Sequence, residues 1–180
     1  MATRREAREW AVQILFQLDL NASPEDAMQS VFDEFWANQL RMKVEETREP
    51  VDERTFEGGW RDRVAEKRIR QFTERIVLGV RQHITKVDET LAKYAKNWDV
   101  HRMGGIERNV LRMGIYELLF RAKDVPVAVV INEAVDVGKF FGTRESGRFI
   151  NGILGSIAKD RPSEGLQSKG LQEESWTPSA

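Results

Sequence analysis

Apolar residues recur at helical spacing along most of the chain, and the breaks between them divide it into about seven segments. In the first, Ala7, Trp10, Ala11, Ile14, Leu15 and Leu18 form a broad stripe. Thr3 followed by Glu6 supplies a capping box to start it, in which each side chain satisfies an orphan backbone N–H of the other residue. After Asn21, the run Ser23-Pro24-Glu25-Asp26 predicts a second start, with Ser as N-cap and Pro at the first helical position. Met28, Val31, Phe32, Phe35 and Trp36 then form its apolar face. From Arg41 to about Trp60 the period is lost among mixed charges, Pro50 and Gly58-Gly59, which predicts an irregular excursion. Ile69, Phe72, Ile76, Val80, Ile84 and Val87 line one long helix, or two joined near His83, and Leu91 and Tyr94 continue the face.

Gly104-Gly105 precedes Ile106 to Arg121, a stretch apolar around most of its circumference and therefore expected at the centre of a bundle. Val125-Pro126 opens the next segment. "VPVAVVI" has strand-favouring composition, but the helical spacing through Phe141 and the lack of a partner strand favour a helix, with Gly142 as its C-cap. A last helix is expected from about Ser146 to Lys159, burying Phe149, Ile150, Ile153, Leu154 and Ile157. The predicted fold is all-α, with an N-terminal subdomain over residues 1–83, a C-terminal subdomain over 84–160, and a disordered tail over 161–180.

Composition narrows the function classes. The 180 residues carry a net charge of −1, so any affinity for nucleic acid must come from local patches. The absence of Cys removes disulfides and thiolate metal sites. With no signal-type or membrane-spanning apolar run, a cytoplasmic protein is expected. No catalytic motif stands up. Ser156-Ile157-Ala158-Lys159 matches S-x-x-K without its companion motifs, and His83 and His101 lack metal-ligand spacing. No phosphate-binding glycine loop is present, and neither a cofactor nor a metal is expected.

Two cationic clusters remain. Arg4, Arg5 and Arg8 lie beside the apolar stripe of the first helix, with Val12 and Phe16 continuing their flank. Lys139, Arg144 and Arg148 surround the turn "KFFGTRESGRF", close to Phe140, Phe141 and Phe149. Either set can be a solvated basic edge beside core residues. Equally, cations that track phosphates next to aromatics that stack on bases are what a single-stranded RNA surface needs. Arginines at a helix start oppose the macrodipole, a conflict that a docked anion removes. The stretch from Arg41 to Arg75 is also rich in cations, but acids nearly match them, which predicts a self-paired surface.

At this point the chain resembles the NusB family of transcription antitermination factors. "RREAREWAVQILFQ" is similar to the family's arginine-rich first helix, and "NWDVHRMGGIERNVLRMGIYELLF" to its central helix and lead-in. "DVPVAVVINEAVDVGKFFG" and "SGRFINGILGSIA" resemble the closing two helices. The resemblance implies an all-helical, non-enzymatic RNA-binding adaptor. It would pair with the small-subunit ribosomal protein that acts as NusE and grip boxA-type single-stranded RNA in ribosomal RNA leaders. It would then recruit other Nus factors to the elongating polymerase, and a homodimer in the absence of RNA is compatible with it. Carried over by position, the RNA surface comprises Arg4, Arg5, Arg8, Phe16, Lys139, Arg148 and Phe149, with Glu107 as a protein-partner contact. Two alternatives belong to the same resemblance: a protein-interaction scaffold with weakened RNA binding, and an RNA-targeting module of a ribosomal-RNA cytosine methyltransferase. Only two arginines precede Glu6 where many relatives carry a longer basic run, and the 41–60 excursion is longer than the usual connection.

Overall fold

A computed structural model describes residues 3–21, 27–47, 67–95 and 103–160. They form seven helices: α1 (Arg4–Leu20), α2 (Met28–Thr47), α3 (Lys67–Gln82), α4 (Ile84–Tyr94), α5 (Gly105–Phe120), α6 (Val127–Phe141) and α7 (Arg144–Lys159). The Ser23 cap, the stretch 48–60 and the tail from 161 lie outside the described residues.

Local signals set most of the boundaries. Thr3 accepts from the Glu6 backbone N–H at 3.2 Å, and the Glu6 carboxylate accepts from the Thr3 backbone at 2.7 Å, completing the expected box. A second box, not expected from the sequence, starts α7 two residues early: Thr143 accepts from the Ser146 N–H, and Ser146 Oγ accepts from the Thr143 N–H. "VPVAVVI" is helical, and α3 and α4 part at His83. One expectation needs correction. Residues 41–47, assigned to the irregular excursion, continue α2. The run Arg41-Met42-Lys43-Val44-Glu45-Glu46 lacks a clear apolar stripe but contains neither Pro nor Gly, and most of its residues favour helix.

The bundle is organised around α5, which packs against α1, α3, α4, α6 and α7. Val110, Leu111, Met113, Ile115 and Leu118 of α5 are fully buried, as its apolar circumference predicts. Gly79 on α3 sits against the ring of Tyr116, so close that a Cβ there would overlap the ring at 2.1 Å. That contact sets how near α3 and α5 approach. A single apolar cluster draws on both halves of the chain, from Ala11 and Trp36 to Ile150 and Ile157, and α1 packs against α3 as well as α5 and α6.

Candidate functional site

The three arginines that open α1 have three different fates. Arg8 points inward. Its Nε donates to Glu117 Oε2 at 2.9 Å and its Nη2 to Glu117 Oε1 at 2.8 Å, with side-chain exposures of 3% and 2%. This two-point geometry matches a guanidinium fork to a carboxylate. Arg8 is therefore a tie between α1 and α5 in this structure, not an accessible phosphate contact. A helical wheel shows its angle on α1 but cannot show that α5 offers a carboxylate there.

Arg5 lies on the surface between α1 and α6, with Nη2 at 3.1 Å from Glu133 and 2.8 Å from Asp136. The hydrogen bond and the charge of Glu133 raise its affinity for its proton. Arg4 is exposed, and its guanidinium lies over the Phe72 ring at 5.6 Å; that of Arg8 lies at 5.2 Å from the same ring.

The second cluster joins the first through Asp136. Lys139 Nζ is 3.9 Å from Asp136 Oδ1, while Arg5 holds Oδ2 of the same carboxylate. The Lys139 stem runs over Gly147, where a Cβ would come within 2.8 Å of it, so the absence of a side chain at 147 keeps this crossing open. Arg148, next along α7, is exposed, and Phe149 is half-buried against the core. Arg5 and Lys139 thus meet on Asp136, with Arg148 one residue past the Gly147 crossing, whereas Arg4 lies over Phe72 on the α3 side and Arg8 is buried.

Phe16 and Glu107 extend the line. Phe16 is half-buried with its ring on Gly105 at the start of α5. Glu107 accepts a 2.8 Å hydrogen bond from Ser146, the residue before Gly147. A continuous seam therefore runs from Arg5 over Asp136 and Lys139 to the starts of α7 and α5. Acids temper its charge: Glu133 and Asp136 pair with Arg5, and Glu9 lies nearby. Burial, reinforced by neighbouring Glu6, pushes the Glu9 carboxyl up.

Sequence reasoning missed two polar centres. One is Glu117, a lone carboxylate near the end of a helix that is otherwise largely apolar. The other is Asp19, which accepts from Arg108 at 2.9 Å, Arg112 at 2.7 Å and Asn109 at 2.9 Å, while Arg112 also binds Asp88 at 2.7 Å. Burial disfavours the Asp19 carboxylate, but the hydrogen bonds from Arg112, Asn109 and Arg108 outweigh it and hold the carboxyl below its usual range. An acid in the last turn of α1 opposes the macrodipole, and that was the available signal for cations arriving from elsewhere. Among the described residues no group of three or more His, Asp or Glu side chains is placed to hold a metal ion, and no helix is long and apolar enough to cross a membrane.

Comparison with known proteins agrees with this architecture. The family model described as "NusB family" matches residues 5–159. The transcription antitermination protein NusB of Desulforamulus reducens is 34% identical over 88% of this chain and 91% of its own. Its counterpart from Syntrophotalea carbinolica is 37% identical over 87% of this chain and 92% of its own. Among solved structures, T. maritima NusB superposes with a TM-score of 0.65 at 30% identity, covering 88% of this chain and 92% of that one. A chain from the complex of antitermination factors NusB and NusE with double-stranded RNA gives 0.62 at 25% identity, covering 88% and 97%. These relatives are named as transcription antitermination factors, not as enzymes. With a match to nearly the whole helical bundle and to relatives along nine-tenths of their length, the chain belongs to the NusB family.

Proposed function

We propose that this chain is an RNA-binding adaptor in transcription antitermination. It pairs with a small-subunit ribosomal protein acting as NusE, and the pair grips a boxA-type single-stranded element of ribosomal RNA leaders. The assembled pair then serves the elongating polymerase together with other Nus factors. The observation that carries this reading is the meeting of Arg5 and Lys139 on the two oxygens of Asp136, which joins the basic start of α1 to the α6–α7 cluster. A solved relative in complex with NusE and double-stranded RNA supports a NusE partner and RNA binding.

The mechanism is positioning. Arg4, Arg5, Lys139 and Arg148 neutralise phosphates, and Phe149, with Phe16 further along the seam, offers ring surface to unpaired bases. Asp136 and Glu133 hold Arg5 in place, and RNA phosphates then compete with them for its guanidinium. Glu107, at the end of the seam beside the α7 cap, is assigned to the ribosomal protein. Arg8 acts through α1, by fixing its start against α5.

The double engagement of Arg5 by Glu133 and Asp136 favours a second reading, a protein-binding scaffold with weakened RNA affinity. A gel-shift titration with a short single-stranded ribosomal leader RNA, with and without the ribosomal protein, separates the two. The adaptor shifts the RNA, and more tightly with the protein present. A scaffold binds the ribosomal protein and leaves the RNA unshifted.

A further inference from the structure

We propose that the cleft between the start of α1 and the first turns of α3 is a second RNA contact, holding the phosphate backbone of nucleotides that flank the gripped element. This rests on the RNA-binding reading above and extends it around α1, from Arg4, which that reading shares, to the face of α3, which it does not use. The cleft encloses about 340 Å³ and is lined by Arg4, Arg68, Ile69, Gln71, Phe72 and Arg75. Residues 68, 71, 72 and 75 follow the i, i+3, i+4, i+7 pattern, which places them on one face of α3. Arg4 closes the cleft from α1, its guanidinium held over the Phe72 ring.

Three features point to a polyanion. Among the described residues the lining contains three guanidinium groups and no carboxylate. Folding uses other arginines: Arg5, Arg8, Arg108, Arg112 and Arg121 all have acidic partners, whereas Arg4, Arg68 and Arg75 make no ion pair among the described residues. The mixed charge of the 41–75 stretch predicts a self-paired surface, yet α3 segregates these two cations onto one face. Like charges converging on one cleft repel until an anion enters, and the guanidinium fork suits phosphate oxygens. RNA is favoured over an acidic peptide by continuity, because Arg4 adjoins Arg5. A strand leaving the Asp136 seam therefore passes from one cationic set to the next. The Gln71 amide and the half-buried Phe72 ring add the polar and aromatic contacts that nucleotides use.

The test measures binding by the complex with the ribosomal protein. It uses a short leader RNA and the same RNA extended at one end or the other, with wild type and with the Arg68→Ala/Arg75→Ala variant. Both side chains are exposed and make no ion pair among the described residues, so the variant keeps its fold. One extension is expected to tighten binding to wild type, and the variant to lose that gain while binding the short RNA unchanged. With two single-strand phosphate contacts, the gain shrinks about sevenfold between 50 and 200 mM salt. A gain that survives in the variant, or no gain from either extension, overturns the inference and leaves the adaptor reading intact. Binding of a polyglutamate peptide through Arg68 and Arg75 in place of any extension gain assigns the cleft to a protein and also overturns it. Failure of wild type to bind even the short RNA removes both.

Discussion

Breaking the Arg8–Glu117 pair on one side is expected to destabilise the protein severely, while replacing both partners is not. Each side chain is almost wholly buried, and the two are joined by hydrogen bonds of 2.8 and 2.9 Å. Removing one partner of such a pair leaves a charge away from water, at a cost of about 3–5 kcal/mol. The two single variants need not be equal. After Glu117→Ala, Arg8 still has Glu133 at 3.8 Å and the Arg4 carbonyl at 3.4 Å. After Arg8→Ala, Glu117 retains no ion pair among the described residues, so this variant falls at the upper end. In a chain of 180 residues, 4 kcal/mol lowers Tm by roughly 8–16 °C. Arg8→Met with Glu117→Leu removes both charges and keeps apolar volume, and is expected to lie within about 1 kcal/mol of wild type or above it. Urea denaturation of wild type, the single variants Arg8→Met and Glu117→Leu, and their double variant gives the coupling directly. Single variants costing under about 1 kcal/mol, or additive costs in the double variant, would refute the buried tie. The double variant also isolates Arg8 from RNA binding. If Arg8 acts only through the fold, the double variant keeps the RNA affinity and salt slope of wild type.

Gly79→Ala drives a methyl group into the Tyr116 ring, and urea denaturation should show a loss of about 1–3 kcal/mol. Thr143→Ala removes the α7 cap and should cost about 1 kcal/mol by the same assay, with helix content retained. Because hydrogen bonds hold the folded Asp19 carboxyl below its unfolded value, its stabilisation is complete above that unfolded value and fades as pH falls through the folded one. Stability below about pH 4 should therefore drop less steeply with pH in Asp19→Asn than in wild type. Burial lowers the His83 pKa beneath its stack on Phe120, so acidification through about pH 6.5 destabilises the folded form, and His83→Phe removes that slope.

The sequence is most legible where a signal is local. The Thr3–Glu6 box can be read from a few adjacent residues, and the central place of α5 from the spread of apolar side chains around one helix. By contrast, the apolar face runs unbroken past His83 and leaves one helix or two open there. The end of α2 is harder, because residues 41–47 favour helix individually while their charges blur the periodic face. Site residues depend on what a neighbouring helix presents. Arg5 and Arg8 share a flank of α1, yet Asp136 and Glu133 keep one at the surface and Glu117 draws the other inside. The distinction lies in carboxylates more than a hundred residues away. Counting charges over residues 41–75 likewise averages away Arg68 and Arg75, which only the helical geometry of α3 gathers on one side.

The salt dependence of leader-RNA binding by the complex with the ribosomal protein, compared between wild type and Arg5→Ala/Arg148→Ala, tests the shared cationic seam most directly. Loss of one phosphate contact from each side of Asp136 should weaken binding and flatten the log–log slope by about 1.4. An unchanged affinity with an unchanged slope would contradict it.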